Sequence, residues 1–302
     1  MMPKATICIT TYNRAGLIVD RSLYSALHQD YDDYEVLVID HGSTDNTEEV
    51  IKSYKDNRLR YHKMPFNTGY VTEARNLGAK LAKGKYIVFL DDDNMLYRQY
   101  LSETVPILES AFKEIMAVNA GRMIKYSDYE DYAPPYDRFN KFPSLDWGWL
   151  IKKEVFDELQ YDKEVFAYED MDFGIRFTQR FQFQPLNKPL MVAFDEEIGS
   201  HSYPTEKHLI AMAKYILRHS EHYVDYPNEF RFLLRAYGRR YYRAGYKWDG
   251  IRFFWQSFTV MPNWKSFKHF FFILFGWTIY NWYMDSQEKK TSMIRLKENK
   301  II

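Results

Sequence analysis

Cysteine is almost absent from this sequence of 302 residues, in which Cys8 is the only one. A single cysteine excludes an intramolecular disulfide framework and is typical of a protein in a reducing compartment. Because the start of the chain, MMPKATICIT, enters a strand pattern within a few residues, we expect no signal peptide. These observations together predict a cytoplasmic protein.

The sequence also lacks net charge and long hydrophobic runs. Its 41 Lys and Arg residues balance 41 Asp and Glu residues, and the pI is about 7.1. This balance argues against a nucleic-acid partner, because a protein held to nucleic acid by bulk charge needs an excess of basic residues. The apolar stretch at residues 270–284 spans about 15 residues and contains Asn281, short of the ~20 that a transmembrane helix needs.

Aromatic residues, in contrast, are abundant: the chain has 26 Tyr, 22 Phe and 7 Trp, many of them in its last third. Residues 253–284 combine Trp and Phe with a basic flank at residues 265–269, a pattern typical of a helix lying on a membrane surface. We therefore predict peripheral contact with the cytoplasmic face of a membrane through this segment. A core-packing helix and a contact within a homo-oligomer are the alternatives.

The first 200 residues alternate apolar, β-branched runs with helical periodicity. Strand patterns fall at residues 5–10, 35–40, 86–90 and 116–125, and helical patterns at residues 15–29, 71–82 and 99–113. This alternation predicts an α/β fold with a doubly wound parallel sheet. Residues 126–142 are rich in Tyr, Asp and Pro without a clear period, which predicts a long surface loop over a site.

The alternation stops near residue 205, and residues 206–246 have a wholly helical pattern. The chain is long enough for one large α/β domain with an appendage, or for two domains. We predict a first domain at residues 1–205 and a helical C-terminal region at residues 206–302.

The most informative stretch is KYIVFLDDDN, residues 85–94. Its apolar part reads as a strand buried on both faces, and it runs directly into Asp91, Asp92 and Asp93. Three neighbouring carboxylates repel one another and cannot be buried unpaired. A divalent cation, Mg²⁺ or Mn²⁺, carrying a diphosphate at the carboxyl edge of the sheet would resolve this repulsion. The alternative is a polar loop whose aspartates cap the next helix.

Several segments, in this order, resemble the family 2 glycosyltransferases, which have the GT-A fold. They are ICITTYNR at residues 7–14, VLVIDHGSTDNT at 36–47, NTGYVTEARNLGAKLAKGKYIVFLDDDN at 67–94, WGWLIKKEVFDEL at 147–159 and YEDMDFGIRF at 168–177. The resemblance covers about the first 200 residues. It implies a GT-A type doubly wound, mostly parallel sheet, to which this chain adds its helical, aromatic-rich C-terminal extension.

The resemblance implies that residues from three parts of the chain bind the nucleotide sugar: the ends of the first two strands, the helix at residues 71–82 and the aspartates after residue 90. The implied set is Thr11, Tyr12, Asn13, Arg14, Asp40, His41, Arg75, Asp91 and Asp92. Asp40 would accept a hydrogen bond from the base, and Arg75 would face the nucleotide. The family often has a second aspartate where this chain has His41, which leaves the preferred base open.

The resemblance also implies a metal site with Asp93 and Asp91 as ligands to Mn²⁺ or Mg²⁺. His201 lies after a strand, where some members of the family supply a further ligand; a structural role is the alternative.

The catalytic acids implied by the resemblance are Asp170, as general base, and Glu169, which would orient Asp170 or bind the acceptor hydroxyl. The alternative for Asp170 is a cap of the helix that it begins. Trp147 and Trp149 are candidates for stacking on the acceptor sugar, with a place in the core as the alternative.

The implied reaction is inverting transfer of a sugar from a nucleotide diphosphate sugar, a UDP-sugar in our prediction, to a hydroxyl of a glycan or lipid-linked acceptor. A sugar-1-phosphate nucleotidyltransferase is one alternative, but it needs a Gly-rich, basic loop after the first strand, and residues 10–16 hold one glycine and one arginine. A non-catalytic carbohydrate-binding or assembly subunit is the other. His41 favours this last reading, and the intact Asp91, Asp93 and Asp170 argue against it.

Overall fold

The structure of the chain, a computed structural model, describes residues 2–125, 130–133, 135, 148–194, 206–243, 245–260, 262 and 264–276. Trp147 and His201 lie outside the described residues. So do most of the predicted loop at residues 126–142 and the aromatic segment beyond residue 276.

The first part of the chain follows the predicted alternation. Its elements are β1 (Ala5–Thr11), α1 (Ala15–Ile18), a π-helical segment (Val19–Leu23), α2 (Tyr24–Leu27), β2 (Tyr34–Asp40), α3 (Thr47–Ser53), β3 (Leu59–Lys63), α4 (Val71–Leu81) and β4 (Tyr86–Asp91). The predicted helix over residues 15–29 is therefore present but includes one π-helical segment.

The next elements complete the α/β part. They are β5 (Met95–Leu96), α5 (Tyr100–Ser110), β6 (Ile115–Lys125), β7 (Glu130–Ala133), β8 (Trp149–Lys152), α6 (Val155–Glu158), α7 (Glu169–Arg180) and β9 (Gln182–Phe194). The loop prediction for residues 126–142 was wrong at β7, which pairs antiparallel with β6 from Arg122↔Ala133 to Lys125↔Glu130. This segment is a strand because its backbone pairs with that of β6. Its sequence, EDYA, has no strand periodicity.

Among the described residues the strands form one sheet in the order β3-β2-β1-β4-β8-β6-β9-β5, with β7 beside β6. Strands β1 to β4 pair in parallel, as predicted. Strand β8 then runs antiparallel to both β4 and β6, and β9 returns parallel to β6. The register pairs Thr11 with Asp40 and Thr10 with Asp91, so β1, β2 and β4 end at one edge.

The central strands are buried on both faces, so alternate residues enter different core clusters. One cluster contains Ile7, Ile9, Val36, Val38 and Val88, and the other contains Cys8, Leu37, Ile39, Ile87 and Phe89. Helix α4 lies close against the second face at Gly78, where an added Cβ would clash with Cys8 Sγ.

Trp149 belongs to the second cluster. Only 1% of it is exposed, and its ring centroid lies 5.6 Å from that of Phe177 and 4.9 Å from that of Phe183. Trp149 is therefore packed in the core of the structure, which favours the alternative over stacking on an acceptor sugar.

The chain divides into two compact units, one of residues 1–200 and 210–218 and the other of residues 201–209 and 219–302. The remaining helices are α8 (Glu206–Arg218), α9 (Ser220–Asp225), α10 (Pro227–Arg243), α11 (Lys247–Val260) and α12 (Trp264–Leu274). The predicted domain boundary at residue 205 stays a prediction, since the division of the structure runs through α8.

Within the second unit, α10 and α11 approach closely where Gly238 and Gly250 meet. A Cβ on Gly250 would lie 2.8 Å from the Gly238 carbonyl oxygen. Across the described parts of the chain, no helix has the length and apolarity needed to span a membrane. Trp248 is 76% exposed and Phe275 is 59% exposed. The membrane-surface role of residues 253–284 stays a prediction.

Candidate active site

The loops that follow β1 and β2 are joined by Asn13. Its backbone has a positive φ of 52°, a conformation that asparagine tolerates better than most residues. Its side-chain oxygen accepts hydrogen bonds from the backbone N–H groups of Thr44, at 2.7 Å, and Asp45, at 3.3 Å. The Asn13 N–H donates to Ser43 Oγ at 2.8 Å. Asn13, predicted to bind the nucleotide, here holds the two loops together.

Asp40 ends β2 and is wholly buried. One carboxylate oxygen accepts from the Ser43 N–H at 2.7 Å, and the other accepts from the Tyr61 hydroxyl at 2.5 Å. None of Asp40 is exposed, and its carboxylate fixes the turn that follows β2. The hydrogen bond that it would accept from a base stays a prediction.

His41, the next residue, is 6% exposed, and its Nε2 accepts a hydrogen bond from the Thr68 N–H at 3.2 Å. An Nε2 that accepts cannot carry a proton, so this geometry assigns the neutral tautomer with the proton on Nδ1. Burial lowers the pKa of His41, against the raising effect of Glu73 and Asp40. His41, which stands where the family often has a second aspartate, is thus neutral. Its hydrogen bond with Thr68 connects the end of β2 to the loop before α4.

The lowered pKa of His41 predicts a loss of stability in acid. Unfolded histidine has a pKa of about 6.5, so on acidification the unfolded chain binds this proton before the folded chain does. We expect the unfolding free energy to fall as the pH drops below about 6.5. His41→Gln, whose amide oxygen can still accept from Thr68, should lose about 1 kcal/mol less between pH 7.5 and 5.5. Urea unfolding at each pH measures this, with the exposed His62→Gln as control. Equal pH dependence in wild type and His41→Gln would contradict the assignment.

Arg14 forms ion pairs with Asp92 and Asp93, the two aspartates that directly follow β4. Its Nη1 donates to Asp92 Oδ1 and to Asp93 Oδ2, both at 3.0 Å. Asp92 is 8% exposed and its other oxygen accepts from Thr11 Oγ1 at 2.8 Å. Burial raises the pKa of Asp92 to about 6, despite the opposing effect of Arg14. Thr11 and Asp92 therefore anchor the loop, and the predicted contact of Asp92 with the nucleotide stays a prediction.

Arg75 is the centre of a second ionic cluster. Its Nη2 donates to Asp91 Oδ1 at 3.0 Å and its Nη1 donates to Glu169 Oε1 at 2.9 Å. The guanidinium is 5.4 Å from the ring centroid of Tyr161, and Arg75 is 5% exposed. Both Nη groups are thus engaged by acids, and Arg75 links the end of β4 to the start of α7. Its predicted contact with the nucleotide stays a prediction.

Glu169 and Asp170 form the first turn of α7, directly after Tyr168, which has a left-handed φ of 68°. Burial raises the pKa of Glu169, the Arg75 guanidinium lowers it, and the charge of Asp170 raises it further. Asp170 is partly exposed. Asp91, Glu169 and Asp170 therefore all interact with the Arg75 guanidinium. That they act in one catalytic site stays a prediction.

A divalent cation fits Asp91 and Asp93, whose side chains are 30% and 39% exposed. Burial raises the pKa of Asp93, and the nearby charge of Asp91 raises it further. The described residues contain no group of three or more His, Cys, Asp and Glu side chains that could hold a metal. Two carboxylates with phosphate oxygens make up a donor set that suits Mg²⁺ or Mn²⁺, so the residues fit a metal that arrives with a diphosphate.

Sequence reasoning missed Tyr161 and Arg218. Tyr161 is 2% exposed and stacks on Phe173 at 4.5 Å between ring centroids, beside Arg75. Arg218, on α8, pairs with Asp162 at 2.7 Å and with Asp172 at 3.1 Å. Neither lies in a motif at a fixed spacing from the acids, so only the fold reveals them. Of the predicted nucleotide-binding residues, Tyr12 keeps an exposed ring, with 40% of the residue accessible.

The mostly parallel sheet with helices on both faces is typical of the GT-A glycosyltransferase fold. The acids at the end of β4 and at the start of α7 lie where this fold has its active site. The family described as "Glycosyl transferase family 2" matches residues 6–173. The chain belongs to this family, as the sequence motifs predicted.

Solved structures share the fold. That of Staphylococcus aureus TarS 1-349 in complex with UDP-GlcNAc is 18% identical, with a TM-score of 0.62 over 86% of this chain and 82% of that one. The mannosyltransferase PcManGT from Pyrobaculum calidifontis, in complex with GDP-Man and Mn²⁺, is 17% identical, with a TM-score of 0.55 over 88% and 78%.

Curated relatives match different shares of the chain. An uncharacterised glycosyltransferase of Methanocaldococcus jannaschii is 22% identical over 92% of this chain and 85% of its own length. One of Rickettsia bellii is 40% identical over 108 residues, 35% of this chain. The match spans only 15% of that Rickettsia protein, and 17% of its Rickettsia felis counterpart.

Proposed function

We propose that this protein transfers a sugar, of the hexosyl type, from a nucleotide diphosphate sugar to a hydroxyl of a glycan or lipid-linked acceptor. The observation that carries the proposal is the bridge made by Arg75 between Asp91 and Glu169. It brings acids from the end of β4 together with the acids that begin α7, which suits a reaction needing both a diphosphate site and a base. Membership of glycosyl transferase family 2 supports it.

Asp91 and Asp93 would hold Mn²⁺ or Mg²⁺ together with the diphosphate of the donor. The cation would supply Lewis-acid stabilisation of the departing diphosphate. Arg14, which contacts Asp93 from the loop after β1, is placed to add positive charge beside the phosphates. Support for Mn²⁺ also comes from the PcManGT complex, which contains that ion.

Asp170 would accept the proton of the acceptor hydroxyl as its oxygen attacks the anomeric carbon, and Glu169 would orient the attacking group. The bond from the anomeric carbon to the diphosphate breaks as the new glycosidic bond forms. A single displacement with the base opposite the leaving group inverts the anomeric configuration. Within the described residues, Asp170 combines partial exposure with a place beside Glu169 and Arg75, which suits a group that must meet substrate.

For the donor we propose a UDP-sugar. The TarS structure at a TM-score of 0.62 contains UDP-GlcNAc, whereas PcManGT contains GDP-Man. His41 and Asp40 are both buried, so other groups of the loops that follow β1 and β2 would also contact the base. Tyr12, with its exposed ring, is the predicted residue best placed to stack on a base.

A panel of nucleoside diphosphates tests the donor and the metal together. We expect UDP with Mn²⁺, at about 100 times its Kd, to raise the melting temperature by about 5–10 °C. GDP, ADP and CDP should give smaller shifts, and EDTA should abolish the shift by UDP. The measurement is a thermal melt followed by dye binding or by circular dichroism.

The variant Asp93→Ala should lose the part of the UDP shift that depends on Mn²⁺, whereas the exposed control Asp20→Ala should keep it. If no nucleoside diphosphate raised the melting temperature with Mn²⁺ present, the reading as a non-catalytic subunit would replace the proposal. A larger shift by GDP than by UDP would correct the donor and leave the reaction class in place.

The acceptor and the location are also proposals. We propose a cytoplasmic enzyme that meets a lipid-linked or surface-glycan acceptor at the membrane face, through the aromatic residues of α11 and α12. Exposed rings in these helices support this, since Trp255 is 48% exposed and Phe271 is 42% exposed. A homo-oligomer contact through the same residues is the alternative.

A further inference from the structure

The turn that carries Glu169 and Asp170 depends on an unusual backbone conformation. Tyr168, the residue before α7, has φ 68° and ψ 23°. The left-handed region is unfavourable for a bulky side chain, and a residue stays there only when its surroundings hold it. The contacts around Tyr168 therefore decide how well the two acids are placed.

Those contacts come in part from the second half of α8, residues 210–218. Tyr215 is 3% exposed, and its ring centroid lies 5.9 Å from that of Tyr168. Three residues further along the same face, Arg218 Nη1 donates to Asp162 Oδ2 at 2.7 Å and to Asp172 Oδ1 at 3.1 Å. One guanidinium nitrogen thus joins both ends of the segment 162–172, which contains the strained residue and both acids.

The two partners of Arg218 differ in how much they depend on it. The side chain of Asp172 is 1% exposed, but its second oxygen also accepts from Arg176 Nε at 2.8 Å. Removal of Arg218 therefore leaves Asp172 with a counter-charge. The bond from Arg218 to Asp162 is the one that ties the loop before α7 to α8. Loss of this bond should loosen residues 162–168 without unfolding the sheet.

We infer that Arg218 and Tyr215 are positioning residues, which hold the turn of Glu169 and Asp170 in its productive geometry from a helix outside the family-matched residues 6–173. The inference rests on the proposed function, since it assigns a task to the turn that would carry the base. The mechanism is geometric, because a displacement of about 1 Å at a reacting group can cost about 10²-fold in rate.

The test compares Arg218→Gln with Lys214→Gln, which removes the same charge from an exposed position on the same helix. Hydrogen–deuterium exchange of residues 163–172 should be about tenfold faster in Arg218→Gln and unchanged in Lys214→Gln. With UDP-GlcNAc as donor probe, Arg218→Gln should lower kcat at least tenfold. Its Kd for UDP with Mn²⁺ should stay within twofold of wild type. Arg218→Lys, which retains a donor, should recover part of the kcat.

Asp162→Asn provides a second, independent variant. If Arg218 acts through Asp162, this change should lower kcat to a similar extent, and the double variant should lose little more than either single variant. Unchanged exchange and unchanged kcat in Arg218→Gln would overturn the inference, as would an equal loss of kcat and of UDP binding. Asp170→Asn separates the two claims: if it alone is inactive while Arg218→Gln is normal, only the role of α8 fails.

Discussion

Asp170→Asn should lower kcat by about 10²–10⁴-fold, which is the usual contribution of a positioned general base. Asparagine matches the shape of aspartate but cannot take up the proton of the acceptor hydroxyl. Because Asp91, Asp93 and Arg14 are untouched, we expect the Kd for UDP with Mn²⁺ to stay within about twofold of wild type. Turnover is measured as UDP released from the nucleotide sugar that the nucleotide panel selects, and Kd by calorimetry.

Two other substitutions make this test specific. Asp157→Asn makes the same change at an exposed position on α6 and should leave kcat unaltered. Glu169→Gln removes the charge of the neighbouring acid, which is paired with Arg75, and should cost less than Asp170→Asn. If Asp170→Asn turned over normally and Glu169→Gln did not, the two acids would exchange roles.

The sequence allowed the first half of the fold to be predicted because its strands are buried on both faces. A run such as residues 86–90 must be apolar throughout, and its sequence therefore reveals it. Strand β7 was not predictable in this way. Its pairing with β6 is made by backbone groups, and its residues, EDYA, carry no alternation of polar and apolar types.

The acids of the candidate site were predictable, but their partners were not. Four acids are conspicuous in the sequence because they lie at the end of a buried strand or at the start of a helix: Asp91, Asp93, Glu169 and Asp170. A carboxylate in such a place needs a hydrogen-bond donor or a counter-charge. The bonds that fix them join residues far apart in the chain, such as Arg75 to Glu169 and Arg218 to Asp172. The motif that contains Arg75 did not reveal its contacts with Asp91 and Glu169, because no spacing in the sequence encodes a contact across the sheet.

Asp40 and Trp149 show that a sequence motif does not reveal burial. Both lie in segments that resemble functional motifs, and both are buried, with none of Asp40 and 1% of Trp149 exposed. A polar residue at a strand end can either bind a ligand or satisfy the turn beside it. In the structure Asp40 receives its hydrogen bonds from Ser43 and Tyr61, a pairing that the sequence alone does not show.

Arg75→Met should be the most destabilising single change at the site. It removes the counter-charge of two carboxylates, Asp91 and Glu169, whose side chains are 30% and 14% exposed. Breaking a buried ion pair by removing one partner costs about 3–5 kcal/mol, and partial exposure of Asp91 favours the lower end of that range. Urea unfolding of the whole chain measures the change as a shift of the first transition.

The control is Arg98→Met, which removes a guanidinium from an ion pair with Asp30 whose side chains are 72% and 40% exposed. A pair at the surface contributes little, so this variant should differ from wild type by less than about 1 kcal/mol. The double variant Arg75→Met/Glu169→Gln should regain part of the loss, because it no longer leaves the Glu169 charge buried without a partner. Equal stabilities of the two arginine variants would show that Arg75 is not the ionic link between the strand end and the helix. Another interaction would then have to hold Asp91, at the end of β4, close to Glu169, at the start of α7.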